Sequence, residues 1–283
     1  MNFQQPVIVN TVPLLRKRVR KWQKADLKIG LIPTMGSLHD GHLTIVKQLQ
    51  NHVDKTVVSI FVNPIQFSPG EDFSRYPRTL DSDANKLQTI GVDCIFAPNV
   101  TEMYGEDFTT NINIKGLSDI LCGTSRQGHF DGVATVITKL LNQCLPDKVI
   151  FGEKDYQQLQ VLKRLVLDLN IPVEIVDGTL VRDEFGLALS SRNVFLSNSE
   201  REIALNLNKV LFSLRKKALK GEDLRLLEAW GITELLRSGF RLVDYLEFRC
   251  SDTLDLATDL EKQSRILVAA HVGKTRLIDN IPI

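Results

Sequence analysis

Residues 28–50, KIGLIPTMGSLHDGHLTIVKQLQ, join a strand-like run to a helix-like run through a turn that holds two glycines and two histidines. The apolar run at 28–32 is stopped by Pro33 and is typical of a short buried strand. Residues 42–53 repeat apolar side chains at helical spacing, and Asp40 is the predicted N-cap. This stretch therefore predicts a strand, a turn and a helix in direct succession.

Strand-like and helix-like segments continue to alternate on the C-terminal side of this stretch. The β-branched residues of TVVSIFV at 56–62 predict a second buried strand. Strands alternating with helices predict the α/β class, with a Rossmann-like parallel sheet, helices on both faces, and ligands at the carboxyl ends of the strands. Further strands are predicted at 93–97, 148–151 and 173–176, and further helices at 79–90, 133–144 and 156–169.

The pattern changes from about residue 177. TLVRDEFGLALSSRNVFLS at 179–197 predicts a hairpin that turns near 183–186. We therefore predict a Rossmann-like domain over 1–176 and a smaller C-terminal α+β domain over 177–283. The second domain is predicted to hold helices at 199–219 and 223–238 and strands at 241–249 (RLVDYLEFR) and 265–272 (RILVAAHV).

Composition places the chain among ordinary globular proteins and excludes several classes of partner. Of 283 residues, 43% are hydrophobic and 24% charged, and the net charge of +1 argues against nucleic acid or an anionic membrane as partner. The four cysteines form no CxxC pair, which argues against a zinc ribbon or a disulfide framework and fits a reducing cytosol. With no signal-peptide pattern and no apolar run long enough for a bilayer, we predict a cytoplasmic protein.

The two histidines of the opening stretch form an HxGH motif at a strand-to-helix junction. Free N–H groups and the helix dipole at such a junction attract anions, and glycines at 36 and 41 let a bulky ligand approach the backbone. His39 and His42, three apart at a helix start, can both donate to one phosphate chain. The alternative is a pair of ordinary surface histidines, and a metal site is less favoured because no cysteine or third histidine lies nearby.

Polar side chains also follow the next predicted strands. Asn63 and Gln66 carry neutral amides suited to hydroxyl or carboxylate groups, or they cap a loop. Asp81 and Asp83 could contact a metal ion carried by a nucleotide, although acids in a first helical turn are the commoner explanation. Arg126 pairs with an anion or is a solvated loop charge.

Two later stretches add positive and hydrogen-bond-donating groups. In FGEKDYQQLQ, Lys154 is a mobile charge suited to phosphate and Gln158 lies one turn further on the same face; the alternative is a helix start with a solvated lysine. In LALSSRN, Ser190 and Arg192 would share one face of a strand and suit a triphosphate, or they form a polar hairpin edge. With the two histidines they predict one crevice that handles nucleotide phosphates by electrostatics and positioning, without a nucleophile.

Eight blocks occur in the order seen in the pantothenate synthetase family, the pantoate–β-alanine ligases: PTMGSLHDGH, NPIQF, YPRTLDSD, RQGHFDGVATV, FGEKDYQQLQ, LALSSRN, DYLEFR and TRLIDN. The chain resembles this family over almost its whole length. The family is in turn similar to other HxGH nucleotidyltransferases, which include class I aminoacyl-tRNA synthetases.

The resemblance implies an ATP-dependent, AMP-forming ligase. The carboxylate of (R)-pantoate attacks the α-phosphate of ATP, with Mg²⁺, giving pantoyl adenylate and pyrophosphate. The amine of β-alanine then displaces AMP and gives pantothenate, the precursor of coenzyme A. The resemblance also implies a homodimer, nucleotide and pantoate binding by the first domain, and a second domain that closes over the site.

Site roles carried over from the resemblance fall on matching positions of this chain. His39 and His42 stabilise the phosphates, with His42 as proton donor, Lys154 reaches the phosphates, and Ser190 and Arg192 close on the triphosphate. The resemblance implies that Gln66 and Gln158 hold pantoate, with Gln66 also near β-alanine. From the residues themselves, Asn63 and Arg126 are further substrate-binding candidates, and Asp83 is a candidate ligand for Mg²⁺ whose metal role stays open. Contacts with ATP are implied for Met35, Gly36, Ser37, Leu38, His39, Asp40, Gly41, His42, Gly152, Glu153, Lys154, Asp155, Val181, Leu189, Ser190, Ser191 and Arg192.

Departures from the family pattern are small. Gln127 stands where many members have proline, and Leu189 replaces a common methionine of similar size. Ser82 and Lys86 interrupt a region that is often more acidic or amide-rich, which puts a direct protein ligand for Mg²⁺ in doubt.

Two other functions remain open from the residues alone. One is a nucleotidylyltransferase that leaves the nucleotide attached to its product, and the other is a nucleotide-binding regulator without turnover. The paired glutamines Gln66 and Gln158 suit a small hydroxy acid and favour the ligase. Retention of both histidines, Lys154 and Arg192 argues against the regulator.

Overall fold

A computed structural model describes residues 4–260 and 263–283 and confirms the predicted α/β class. One sheet has six parallel strands in the order β1-β4-β3-β2-β5-β6. Its strands are β1 (Val7–Val9), β2 (Ile29–Thr34), β3 (Lys55–Ile60), β4 (Cys94–Phe96), β5 (Lys148–Gly152) and β6 (Glu174–Gly178). Chain order reverses at β2, which lies between β3 and β5, and such a switch point is where parallel sheets bind ligands.

Helices cover both faces of this sheet because successive strand residues point to opposite sides. Leu31 and Val57 pack into one apolar layer, while their neighbours Ile32 and Val58 pack into the other. The helices of this region are α1 (Val12–Gln23), α2 (Asp40–Gln50), α3 (Leu80–Thr89), α4 (Val100–Met103), α5 (Cys122–Ser125), α6 (His129–Cys144) and α7 (Tyr156–Asp168). Helices α1, α6 and α7 contribute to the first layer, and α2 and α3 to the second.

Boundaries around the HxGH stretch differ from the prediction in two places. Strand β2 continues through Pro33 to Thr34, because its pairing with β5 involves only Gly30 and Leu31 and so needs no N–H from the proline. Helix α2 begins at Asp40, so Asp40 is not the N-cap as predicted. The N-cap is His39, whose φ of −131° is extended.

The C-terminal region forms a second, smaller layer, as predicted. An antiparallel sheet of β7 (Leu242–Cys250), β8 (Ser264–Val272) and β9 (Thr275–Pro282) packs against α8 (Asn198–Ala218) and α9 (Leu224–Arg237). Tyr245 and Leu267 of this sheet also pack into the core beside α6 and α7. Apolar contacts therefore cross residue 177, and the division of the chain there into two domains stays a prediction.

The segment that links the two sheets turns where predicted but forms only part of a hairpin. The Asp183 and Leu187 backbones are hydrogen-bonded at 2.9 Å, and a single antiparallel bridge joins Arg182 to Ala188. Residues Ser191–Phe195 form a 3₁₀ helix with Ser190 as its N-cap. The expectation that Ser190 and its neighbours lie on a strand is therefore wrong. Among the described helices, none is long and apolar enough to cross a membrane.

Candidate active site

A cavity of about 230 Å³ lies beyond the carboxyl ends of β2 and β5, at the switch point of the parallel sheet. It adjoins a larger cleft of about 820 Å³ that extends to the C-terminal strands. The cavity wall includes these predicted site residues: Met35, His39, Gly41, His42, Asn63, Gln66, Arg126, Gly152, Lys154, Asp155, Gln158, Val181, Leu189, Ser190, Ser191 and Arg192. Five others, Gly36, Ser37, Leu38, Asp40 and Glu153, do not line either space, and their contact with a nucleotide stays a prediction.

Asp83 braces the turn that precedes the histidines. Its carboxylate is fully buried and accepts hydrogen bonds from the amides of Ser37 at 2.9 Å and Leu38 at 2.8 Å, and from the Thr79 hydroxyl at 3.1 Å. This contact holds the left-handed turn at Gly36, where φ is +80°. Both carboxylate oxygens are thus committed to the turn, and the geometry gives no support to Asp83 as a metal ligand. Over the ranges 4–260 and 263–283, no cluster of three histidine, cysteine or acidic side chains could hold a metal ion.

The two histidines form a tilted pair at the N-terminus of α2, with ring centroids 4.0 Å apart. The backbone N–H of His39 donates to Nδ1 of His42 at 3.3 Å. Nδ1 is therefore an acceptor, and a neutral His42 carries its proton on Nε2, where it can be donated to a ligand. A Cβ at Gly41 would lie 2.9 Å from the His39 ring, so this glycine makes room for the imidazole rather than for a ligand alone.

Both imidazoles are neutral donors at physiological pH. Burial lowers the pKa of His39 to about 4, and the positive charges of Lys154 and Lys86 act in the same direction. Burial, followed by His39 and Lys154, lowers the pKa of His42 to about 3. The same combination of burial and a neighbouring cation, Arg126, lowers the pKa of His129 to about 3. The wall of the cavity is thus built to attract negative charge without itself holding an imidazolium.

These buried histidines should make the protein sensitive to acid. Their folded pKa values lie below the unfolded value of 6.5, so as the pH falls from about 6.5 to about 4 the unfolded chain binds protons that the folded chain does not. We expect the free energy of unfolding to fall by about 2 kcal/mol per fully shifted histidine between pH 7 and 5. Urea unfolding at the two pH values measures this.

Matched histidine variants separate this effect from general acid sensitivity. His129→Gln should shrink the difference between pH 7 and pH 5, because it removes one of the buried rings. His52→Gln, at an exposed position, should leave the difference unchanged. If the free energy of unfolding depended on pH equally in wild type and His129→Gln, the lowered pKa of His129 would not be a source of the acid sensitivity.

Both arginines that the sequence proposes for anion binding are already paired with carboxylates. Arg126 makes two hydrogen bonds to Glu71, at 2.6 and 2.8 Å, and Arg192 makes two to Asp72, at 2.9 and 3.0 Å. Burial by itself would raise the pKa of both carboxyl groups, but the arginine hydrogen bonds and charges outweigh it and lower the pKa. Two adjacent acids therefore each hold one arginine of the cavity by a pair of hydrogen bonds.

Of the three neutral amides at the cavity, that of Asn63 has a structural role, whereas those of Gln66 and Gln158 are available to bind a ligand. Asn63 donates to the Gln66 Oε1 at 2.9 Å and to the Gly132 carbonyl at 3.1 Å, and accepts from the Tyr104 hydroxyl at 2.7 Å. Its amide is therefore engaged within the protein and orients Gln66. Within residues 4–260 and 263–283, the one hydrogen-bond acceptor of the Gln66 Nε2 group is the weakly accepting sulfur of Met35, at 3.3 Å. Within the part of the chain that the structure describes, Gln158 has no hydrogen-bond partner and faces the cavity.

Lys154 and the serines lie on two short 3₁₀ turns beside the cavity. Lys154 is in the turn Glu153–Asp155 that follows β5. Among the described residues, its ammonium makes one loose ionic contact, of 3.7 Å with Asp155. Ser191 donates to the carbonyl of Ser37 at 3.0 Å, which ties the second turn to the turn before the histidines. The lysine ammonium thus remains available for an anion.

Comparison with known proteins decides the family. The family model described as Pantoate-beta-alanine ligase matches residues 7–282. This chain belongs to the pantoate–β-alanine ligase family. Among related ligases, the pantothenate synthetase of Paramagnetospirillum magneticum is 48% identical over 276 residues, which is 98% of this chain and 97% of the relative. The family predicted from the sequence blocks is confirmed.

Solved structures of pantoate–β-alanine ligases share the fold. Pantothenate synthetase from Thermus thermophilus superposes with a TM-score of 0.90 at 44% identity, covering 97% of this chain and 98% of that one. The ligase of Francisella tularensis, complexed with Beta-gamma ATP and Beta-alanine, superposes with a TM-score of 0.84 at 34% identity, covering 98% and 97% of the two chains.

Three polar residues of this ligase site were missed in the sequence. His129 donates through Nδ1 to the Gln66 carbonyl at 2.8 Å and contacts Arg126 through Nε2 at 2.8 Å. Lys86 donates to the Leu38 carbonyl at 2.6 Å, and Tyr76 lines the cavity. His129 lies within the quoted block RQGHF and was a visible candidate. An apolar wall was also missed, formed by Phe61, Val133, Ile137 and Leu140.

Proposed function

We propose that this protein condenses (R)-pantoate with β-alanine, using ATP, at the cavity beyond β2 and β5. One observation carries the proposal: the neutral histidine pair at the start of α2 and the loosely held ammonium of Lys154 share a cavity with the available amides of Gln66 and Gln158. The first set suits phosphates and the second suits a small hydroxy acid. The related ligase of Francisella tularensis was solved with two ligands of this kind, a Beta-gamma ATP and Beta-alanine.

The reaction proceeds in two displacements. A carboxylate oxygen of pantoate bonds to the α-phosphorus of ATP, and the bond to the leaving pyrophosphate breaks. The amine of β-alanine then bonds to the carbonyl carbon of pantoyl adenylate, the bond to AMP breaks, and the amine loses a proton. Both steps need oriented reactants and stabilised negative charge more than a protein nucleophile.

The histidines and Lys154 stabilise the charge that builds up on the phosphates. The N–H at Nε2 of His42 donates to a phosphate oxygen, and an incoming polyanion favours protonation of the ring, which opposes the effect of burial. Lys154 adds a positive point charge that follows the phosphates. Preorganised donors in a site that excludes water cost little reorganisation during the reaction.

The acid subsite combines the two glutamines with the apolar wall. Gln66 and Gln158 donate to the carboxylate and hydroxyl oxygens of pantoate, while Phe61 and Val133 pack against its aliphatic carbons. Arg126 supports the subsite through His129, which holds the Gln66 backbone.

Ser190, Ser191 and Arg192 contact the triphosphate. Asp72 occupies two of the five N–H donors of Arg192, so the remaining donors can contact phosphate while Asp72 holds the side chain in place. Mg²⁺ brought by ATP would be held mainly by phosphate oxygens and water, and it would supply positive charge to the phosphates.

The family resemblance further supports a homodimer, and the four free cysteines support a cytoplasmic location. Sedimentation velocity of the purified protein tests the first point. A single species with the mass of one chain at micromolar concentration would contradict the dimer.

Product analysis tests the proposed function directly. Wild type is incubated with Mg²⁺ and ATP, with pantoate alone or with pantoate and β-alanine, and AMP and pyrophosphate are quantified. We expect pyrophosphate with pantoate, and AMP in multiple turnovers only when both acids are present. A stable nucleotidyl product would indicate a nucleotidylyltransferase. ATP binding without pyrophosphate release would indicate a regulator.

Replacing Gln66 by alanine should chiefly impair the use of pantoate. The variant loses the amide donor proposed for the pantoate carboxylate, and one hydrogen bond to a charged group corresponds to about a 10- to 100-fold change in KM. The KM for ATP should stay within about threefold, because the phosphate-side groups remain in place. Steady-state kinetics with each substrate varied in turn measures the difference.

Gln50 offers a matched control for this variant. Its side chain donates to the Ile90 carbonyl and does not line the cavity. Gln50→Ala should leave both KM values unchanged. Unaltered pantoate kinetics in Gln66→Ala would remove Gln66 from the acid subsite.

A further inference from the structure

Strand β9 carries two consecutive polar side chains, Asp279 and Asn280, that are each only 2% exposed. They belong to the block TRLIDN, to which the proposed reaction assigns no role. Burying a polar group is costly unless it is hydrogen-bonded, so their partners indicate what they are for. Those partners lie in the segments that border the cavity.

The Nδ2 group of Asn280 is fully used on the turn that carries Lys154. This group donates to the carbonyl of Glu153 at 2.9 Å and to the carbonyl of Lys154 at 3.1 Å. These are consecutive carbonyls of the three-residue 3₁₀ turn Glu153–Asp155, and so short a turn has few hydrogen bonds of its own. The backbone of Lys154 is therefore fastened by a side chain of the C-terminal sheet.

Arg265 of β8 fixes the orientation of that carboxamide. Its Nη1 donates to Asn280 Oδ1 at 2.5 Å, and because arginine only donates, the oxygen of Asn280 must face Arg265 and the NH₂ group must face the carbonyls. Arg265 also stacks on the ring of Tyr156, with its guanidinium carbon 3.9 Å from the ring centroid, and its Nη2 lies 3.4 Å from Glu153 Oε1. Arg265 thus also holds Glu153 and Tyr156, the residues directly before and after Lys154–Asp155.

Asp279 makes a parallel connection to the other segment beside the cavity. It accepts two hydrogen bonds from Arg182, at 2.6 and 2.8 Å, and Arg182 follows the cavity residue Val181. Asp279 and Asn280, which are neighbours in β9, therefore contact the segments that carry Val181 and Lys154. Both of these residues line the cavity.

The anchored backbone of Lys154 contrasts with its loosely held ammonium, which lies 3.7 Å from the carboxylate of Asp155. A flexible lysine can reach an anion reproducibly only if its Cα is fixed. We propose that Asn280 is a positioning residue for the reaction, and that its carboxamide sets the place of Lys154 against the phosphates of ATP. The inference rests on the proposed function, in which Lys154 contacts ATP, and it makes the small antiparallel sheet part of the nucleotide site.

Asn280→Asp isolates the two donated hydrogen bonds. The substitution keeps the size of the side chain and the acceptor for Arg265, but it turns an oxygen toward two carbonyls in place of the NH₂ group. We expect kcat/KM for ATP to fall by about 10- to 100-fold, the loss associated with about 1 Å of displacement, while the KM for pantoate stays within about twofold. Ile281→Val, at the next position of β9, lowers stability without touching the turn and should show no such selective loss.

A double-mutant cycle with Lys154→Ala distinguishes positioning from a general structural role. If Asn280 acts through Lys154, Asn280→Asp adds no further loss in the Lys154→Ala background. Multiplicative losses, or a rise in the KM for pantoate as large as the loss in kcat/KM for ATP, would overturn the proposal. If Asn280→Asp does not fold, Asn280→Ala removes the donors without adding a buried charge and takes its place in the cycle.

Hydrogen exchange and nucleotide binding give readouts that do not depend on turnover. Amides of residues 153–156 should exchange faster in Asn280→Asp than in wild type and Ile281→Val. If wild type releases no pyrophosphate, the proposed function fails, and the same cycle measured on the Kd for Mg²⁺·ATP decides the inference. Unchanged exchange and unchanged Kd in Asn280→Asp would refute it.

Discussion

Replacing His42 by alanine should lower the rate of pyrophosphate release by about 10²- to 10³-fold, the usual cost of losing one preorganised donor to a developing negative charge. The ring lines the cavity, and its Nδ1 is occupied by the His39 amide, so the proton on Nε2 is the one available to a phosphate. Alanine removes this donor and leaves the other phosphate contacts in place. Single-turnover release of pyrophosphate with saturating ATP and pantoate measures the chemical step.

The stability of His42→Ala should be affected far less than its turnover. The ring faces a cavity, so its removal opens little new void, and the lost contact with the His39 amide is comparable to a helix cap of about 1 kcal/mol. The melting temperature should therefore drop by only about 2 °C. His42→Gln, which retains an N–H donor, should recover part of the rate if donation without proton transfer matters. His52→Ala, at an exposed position, is the matched control, and a normal rate in His42→Ala would exclude His42 from the mechanism.

Gly132→Ala should destabilise the protein by about 3 kcal/mol, the upper end of the usual cost of overpacking, although glycine to alanine favours most helices. Gly132 lies in α6, where a Cβ would sit 2.4 Å from the Ile65 carbonyl oxygen and 2.7 Å from the Gln66 Cα. Both obstacles are backbone atoms and cannot rotate away. The turn that carries Gln66 must therefore move, and with it Asn63, which donates to the Gly132 carbonyl.

This displacement should also raise the KM for pantoate by about 10-fold or more, because Gln66 is held within the acid subsite by these contacts. Urea unfolding and substrate kinetics measure the two effects. Gly231→Ala in α9 is the matched control, since its Cβ would meet only the side chains of Leu214 and Leu246 at 3.0 Å, and these can shift. Wild-type stability and pantoate use in Gly132→Ala would show that the turn at Gln66 moves freely.

The sequence predicted those parts of the fold whose pattern is local. Strands β2 and β3 are apolar runs with clear ends, and their helices repeat at regular spacing. Strand β1 has only three residues, two of which are exposed, so it gives no pattern of burial. Strand β9 was missed because Asp279 occupies a buried position on the face of Leu277 and Ile281, where alternation would call for an apolar residue.

In the candidate site, too, the sequence predicted the residues that a local pattern marks. His39, Lys154 and Ser190 come directly after predicted strands or turns, so topology brings them together. The pairing of Arg192 with Asp72 and the use of Asp83 to brace Leu38 join residues 120 and 45 positions apart. No local pattern encodes such contacts, and they decide which polar side chains remain free for substrate.

The attachment of β9 to the turn at Lys154 has a consequence for the nascent chain. Asn280 bonds carbonyls that lie 126 and 127 positions earlier, and everything from Met35 to Arg192 leaves the ribosome before it does. At usual rates of translation this interval lasts roughly 10 s. During that time the parallel sheet can assemble, but the turn Glu153–Asp155 lacks the hydrogen bonds from Asn280. The backbone of Lys154 therefore gains these two side-chain hydrogen bonds only after the C-terminal strand has been made.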